Sequence, residues 1–287
     1  MPTLIDLRRR IKSVKNTQQI TKAMKTVSTA KFKKAQRLVL EGRPHWHTEP
    51  DLLARISRWA GARAHPLFNV RDEKRIQVIV ITSDKGLCGA FNSSLLARTI
   101  EFIEEKAQRS QVNLVLVGKK ASNFFRKYPY SVDRVYAGKT DKLGASELRE
   151  IARHMMRLYT FRETDGVYVA SNEFRSVLAP RITITRLLPI LLDKSAAEPR
   201  SVAPDWEPAA PAILESLVPR HVEDQLCHAF FESQAAEQAA RMMAMDNASK
   251  NAEELITDLV LVLNKIRQAG ITKELLEIMT AVEALKK

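Results

Sequence analysis

The stretch Ser83-Asp84-Lys85-Gly86-Leu87-Cys88-Gly89 follows a β-branched run and precedes a helical one, which is where an open α/β sheet holds its ligands. It lacks the G-x-G-x-x-G spacing that a dinucleotide pyrophosphate needs. Gly138-Lys139-Thr140 ends like a P-loop, but the first glycine of that motif falls at Asp133, and Tyr136 stands where backbone should hug phosphate. The histidines are scattered, with His45 and His47 flanking Trp46 in a predicted loop. Cys88 and Cys227 lie far apart, with no second ligand at zinc spacing, and read as free thiols of a reducing compartment. No Ser/His/Asp or paired-carboxylate arrangement emerges. The expectation is a chain with no catalytic residue, no cofactor and no metal, in which Lys139 is dispensable.

The elements around these residues carry more information. From Arg220 to Lys287, 68 residues run without proline and with one glycine, Gly270. That predicts one helix of ~100 Å at ~1.5 Å per residue, against a radius of gyration of ~19 Å for a compact globule of this length. Met245, Ala248, Ala252, Leu255, Leu259, Val262, Ile266 and Ala269 form its expected apolar seam, at the heptad spacing of a coiled coil. At the other end, Thr3 to Glu41 contains neither Pro nor Gly, with Thr3 and Asp6 as a capping pair. Leu4, Leu7, Ile11 and Val14 open a seam there. It breaks at Thr17, Gln18 and Gln19 and resumes, displaced, at Ile20, Met24 and Val27. Gly42, Pro44 and Pro50 should end this helix, with a short helix at 51–60. Two terminal helices this long are expected to wrap each other antiparallel.

Between them the period changes. β-branched runs at Ile76–Thr82 and Asn113–Val117 flank a helical stretch at Ser93–Lys106, a βαβ unit that implies a parallel sheet. Helices are expected at Lys119–Arg126 and Ser146–Phe161, strands at Gly166–Ala170 and Arg181–Leu192, and an extended connector at Ser195–Pro211. The fold class is α/β: a long antiparallel coiled coil of the N- and C-terminal helices plus an inserted small Rossmann-like α/β domain. The divisions are 1–60, 75–195, 196–219 and 220–287. No apolar run approaches the ~18 residues of a membrane span, and the N-terminus lacks a secretory core. The net charge of +13 is uneven. Residues 1–43 hold twelve Lys/Arg against Asp6 and Glu41, a balance of +10, whereas 220–287 hold eight against eleven acids, a balance of −3.

Four motifs carry a family resemblance: RIKSVKNTQQITKAMKTVSTAKFKKAQ from Arg10 to Gln36, SDKGLCGAFN from Ser83 to Asn92, ESQAAEQAARMMAMDNASKNAEELI from Glu232 to Ile256, and NKIRQAGITKELLEI from Asn264 to Ile278. Together and in this order they resemble the gamma subunit of the F-type ATP synthase. The chain departs from that pattern at Ala281-Val282, where Gly-Ala is usual, and at Gly270, where a side chain is usual and glycine costs ~1 kcal/mol against Ala. The resemblance implies a non-catalytic rotary shaft of a proton-translocating ATPase. The helix pair enters a hexameric head of alpha and beta subunits, and the α/β domain rests on the membrane c-ring, with the epsilon subunit as a further partner and one copy per complex. It further implies a peripheral place on the cytoplasmic side of the bacterial inner membrane and head contacts at Met24, Lys25, Arg267, Gln268, Thr272 and Glu274. The alternative from charge alone is a basic coiled coil that binds nucleic acid. Against it, Leu4, Leu7, Ile11 and Val14 interrupt the basic face throughout, unlike a basic region followed by a separate zipper.

Overall fold

The computed structural model describes residues 3–60, 65–138, 140, 143–176, 180–191 and 207–285. They form two units: residues 1–28 with 242–287, and residues 29–241. Among the described residues, no helix is long and apolar enough to cross a membrane.

The larger unit is built on a five-stranded sheet of order β3-β2-β1-β4-β5. Its strands are β1 (Arg75–Ile81), β2 (Gln111–Val117), β3 (Ser131–Tyr136), β4 (Gly166–Glu173) and β5 (Arg181–Leu188). β1 lies between β2 and β4, parallel to both, and β2 pairs parallel with β3. Helices cover both faces, so the central strands are apolar on both sides. Ile76, Val78, Val80, Leu114 and Leu116 pack on α2 (Phe91–Ala107) and α3 (Lys119–Phe125), whereas Ile79, Ile81, Val115, Val167 and Val169 pack with α4 (Ala145–Thr160). β5 departs from the expected parallel sheet, since it runs antiparallel to β4. The link from Phe174 to Pro180 is too short for a parallel crossover, which needs a dozen residues or more. β3 was not expected from its sequence. It is an exposed edge strand carrying Asp133 and Arg134, and such edges lack a hydrophobic signature.

Two helices run longer than their sequences predict. Helix α1 spans Leu4–Ala60 with Pro44 and Pro50 inside it, so Gly42 and the prolines do not end it and His45-Trp46-His47 is helical. Two interior prolines cost ~6 kcal/mol, but burial of Val39, Trp46, Leu53 and Ile56 returns ~6–12 kcal/mol. Helix α5 spans Ala210–Leu285 with Pro219 inside. It starts ten residues before Arg220, because Leu214, Val218 and Val222 are buried against the sheet core. The expected connector therefore does not reach Pro211, and its residues 195–206 lie outside those described, as does the end of the expected strand at residue 192.

In the smaller unit the first turns of α1 run antiparallel to the last half of α5. Lys25 meets Asp246, Thr21 meets Ser249, and Gln18 meets Glu253. Leu7 and Ile11 pack on Leu259, with Val14, Leu263 and Ile266 beside them. The buried and half-buried α1 positions up to Ser28 are Leu4, Leu7, Ile11, Val14, Gln18, Thr21, Lys25 and Ser28, with the expected Met24 half-buried beside them. This is an unbroken heptad, so the expected break is absent and Ile20 and Val27 are exposed. On α5 the seam is Met245, Ser249, Ala252, Ile256, Leu259, Leu263 and Ile266. Leu255, Val262 and Ala269 are exposed and Ala248 is only half-buried, contrary to expectation. The two seams share every second position, and apart from Ser249 both are apolar, so the choice falls to the partner. Ser249 is drawn inward by its 2.7 Å hydrogen bond to Thr21.

Candidate functional site

Strand order reverses between β1 and β4, and the crevice at the carboxyl ends of those strands is where such a sheet binds ligands. Here the chain's own helices occupy it. Cys88 and Phe91 beyond β1 and Phe174 beyond β4 pack with Phe32, Val39 and Trp46 of α1 and Ala235, Ala236 and Ala239 of α5. The polar groups of the loop turn inward too. Ser83 Oγ donates to the Lys85 carbonyl at 2.6 Å, and Asn92 Nδ2 donates to Ser83 Oγ at 2.8 Å. The Asp84 carboxylate accepts from the amides of Lys119, Gly138 and Thr140 at 2.9, 2.7 and 2.9 Å, and from Thr140 Oγ1 at 2.6 Å. Burial pushes its pKa up, but the Thr140 hydroxyl and the three amides outweigh that and hold it below the usual carboxylate range.

Gly138 completes this clasp with φ of 81°, a left-handed conformation that favours glycine. Thr140, the P-loop-like threonine of the sequence, thus binds Asp84. Lys139 lies outside the described residues. Arg241 of α5 grips the other side of the loop, donating to the Lys85 and Gly86 carbonyls at 3.2 Å while paired with Glu237 at 2.6 Å. Glu232, buried, accepts from the Phe174 amide at 2.8 Å and from Arg43 Nη2 at 3.2 Å, and so ties α5, α1 and the end of β4 together. Burial raises both thiols, that of Cys227 to about 11, which leaves them un-ionised at neutral pH. Among the described residues, no three His, Cys, Asp or Glu side chains gather as a metal site. The arrangement fastens a domain to two helices.

The six positions singled out in the sequence fall in two places. Met24 and Lys25 are half-buried on α1, with Lys25 Nζ 2.6 Å from Asp246 Oδ1. Arg267, Gln268, Thr272 and Glu274 are exposed on α5, where the Thr272 hydroxyl donates to the Gln268 carbonyl at 3.0 Å. They begin directly after Ile266, the last α5 residue packed against the Leu7/Ile11 cluster. Sequence reasoning missed what surrounds them. Ile271, Leu275, Leu276, Ile278, Met279 and Val282 are all exposed, Met279 by 69%. Contiguous exposed apolar surface marks an interaction site. Among the described residues, the α1 cluster packed on this part of α5 reaches as far as Ile266.

A family model described as ATP synthase matches residues 3–285. The ATP synthase gamma chain of Pelotomaculum thermopropionicum is 42% identical over 286 residues, covering all of both chains, and that of Chlorobaculum parvum is 42% identical over 291 residues, again in full. Among solved structures, a chain of the Euglena gracilis mitochondrial ATP synthase (OSCP, F1 and c-ring) superposes with a TM-score of 0.68 over 99% of this chain and 96% of its own, at 21% identity. A chain of the Tetrahymena thermophila central stalk and c-ring superposes with a TM-score of 0.62, covering 80% of this chain and 99% of its own at 23% identity. At those identities the structures attest the fold, and the full-length sequence matches attest the lineage: the chain belongs to the ATP synthase gamma chain family.

Proposed function

We propose that this chain is the central rotary shaft of a proton-translocating F-type ATP synthase. It couples rotation of a membrane c-ring to conformational cycling of three catalytic nucleotide sites on an alpha/beta hexamer, with an epsilon subunit beside the α/β domain and one copy per complex. The solved chains that share the fold are described as central stalk and rotor. The observation that carries the reading is the end of α5: a helix whose apolar and polar side chains are exposed on every side from Arg267 to Val282. In water such a helix lacks a partner that buries it, and a surrounding sleeve of protein would supply one. The clasp at Asp84, Arg241 and Glu232 supports a mechanical role for the α/β domain, because its ligand crevice is filled by the helices that it must turn. In that assembly the α/β domain is the foot on the c-ring, at the cytoplasmic face of a bacterial inner membrane. The chain itself performs no covalent step, and each rotary position biases a different site among discrete conformations.

The test is complementation. A strain lacking its gamma chain, supplied with this one carrying an affinity tag, should yield a complex that retains alpha, beta, epsilon and c subunits. Inverted vesicles from that strain should acidify on addition of ATP. A folded chain that purifies without ATPase subunits would overturn the proposal.

A further inference from the structure

The middle of the helix pair is polar where a coiled coil is ordinarily apolar. Three successive α1 seam positions, Gln18, Thr21 and Lys25, face Glu253, Ser249 and Asp246 of α5. Thr21 and Ser249 are buried, and their hydroxyls bond at 2.7 Å while Ser249 Oγ also reaches the Met245 carbonyl at 2.8 Å. Lys25 Nζ lies 2.6 Å from Asp246 Oδ1, and Lys250 approaches the other carboxylate oxygen at 3.1 Å. We propose that this layer is a register lock: Lys25 and Asp246, supported by Thr21 and Ser249, are positioning residues that fix how far α5 is advanced along α1.

The seam on either side holds Leu, Ile, Val, Ala and Met, with Ser28 at one end; its apolar members interchange with little penalty, so they do not by themselves reject a slip of one heptad. The polar layer does. Advancing α5 one heptad in one direction sets Asp246 against Gln18, Ser249 against Val14 and Glu253 against Ile11. The opposite slip sets Asp246 against Phe32 and Ile256 against Thr21, although it hands Lys25 to Glu253. Each slip takes Asp246 from Lys25, leaving it Lys250 of its own helix, and places a polar group against a hydrocarbon, and polar seam residues specify register in this way at some expense of stability. The pair is also half exposed, 45% for the Lys25 side chain and 23% for Asp246, so its contribution to stability is small; within this unit its use is to favour one register. Lys25 is thereby assigned inward, to α5.

Disulfide trapping in the isolated full-length chain reads register directly. Ile11→Cys with Leu259→Cys reports the native register, and Ile11→Cys with Ala252→Cys or Ile266→Cys reports the two slips. One heptad is ~10 Å of helix, and disulfides close only below ~7 Å between Cα atoms. In these backgrounds Lys25→Met with Asp246→Leu should keep or raise the melting temperature while slipped disulfides rise from trace to a tenth or more of the product. The exchange Lys25→Asp with Asp246→Lys should give the native disulfide alone. Native disulfide alone in the Met/Leu variant would overturn the proposal. Should that variant fail to fold, Lys25→Asp alone decides against the exchange: slipped product only in the single substitution supports the lock, and identical patterns in both refute it. The assay needs no partner subunit, so its failure leaves the shaft role untouched.

Discussion

Asp84 shows how one side chain changes meaning between sequence and structure. It stands in a strand-to-helix loop at the place where open α/β sheets hold ligands, and nothing local reveals that Gly138 and Thr140, more than fifty residues on, saturate it. An amide at that position keeps one acceptor oxygen and gains donors with nothing to receive them. Asp84→Asn should therefore destabilise the larger unit by about 1–3 kcal/mol at pH 7, measured as a lowered urea midpoint. The carboxyls of Asp84, Glu73 and Glu232 are all held below their ordinary values: burial raises each, but hydrogen bonds, led by those from Thr140, Lys106 and His228 respectively, outweigh it. Because each folded value lies below the unfolded one, the stabilisation is complete above pH ~4–4.5 and fades as pH falls through the folded values. The urea midpoint of the unaltered chain should accordingly drop on acidification below pH ~4, and Asp84→Asn should flatten part of that drop.

At the scale of the element, two glycines in the two long helices should respond with opposite sign to the same substitution. Alanine is favoured over glycine in a helix by ~1 kcal/mol. A Cβ at Gly270 meets nothing within 4 Å, so Gly270→Ala should stabilise the end of α5 by about that amount, seen as slower amide exchange from Arg267 to Lys273. A Cβ at Gly42 falls 2.3 Å from the Trp46 ring, which is itself stacked on His228 at 4.3 Å and has no room to retreat. Overpacking of this kind costs ~1–3 kcal/mol, so Gly42→Ala should lower the melting temperature despite its better propensity. The same contact explains part of what was illegible in the sequence. Gly42, Pro44 and Pro50 are stop signals by any local rule, and only the burial of Val39, Trp46, Leu53 and Ile56 against distant residues overrides them. The central strands were legible because both their faces are apolar. β3 was not, since an edge strand needs no such pattern. The α5 seam was half legible: Met245, Ala252, Leu259 and Ile266 belong to either heptad phase, and the choice of Ser249 over Ala248 depends on Thr21, more than two hundred residues away.

At the scale of the whole molecule, the proposed shaft must present side chains to its surroundings that it does not use for its own folding. Arg267 and Gln268 meet that condition. Both are exposed, both follow directly on Ile266, where packing on the α1 cluster ends, and the Thr272 hydroxyl donates to the Gln268 main-chain carbonyl, which truncation of the side chain leaves in place. Helix propensity favours alanine at both positions. The double variant Arg267→Ala/Gln268→Ala should therefore fold, assemble and keep its melting temperature. What it loses is a guanidinium able to form charge-assisted, bidentate hydrogen bonds with carboxylates of an enclosing head. If those bonds form at some rotary angles and not at others, their loss raises the barrier of the step that makes them, and ~1.4 kcal/mol corresponds to about tenfold in rate. ATP turnover by the assembled complex should fall by up to about that factor, with turnover and ATP-driven proton pumping falling together. Arg267→Lys should recover only part of the rate, because an ammonium does not reproduce the planar fork. An assembled complex whose turnover is unchanged by the double truncation would show that these side chains are merely solvated, and the recognition of the head would then rest on the exposed apolar positions from Ile271 to Val282.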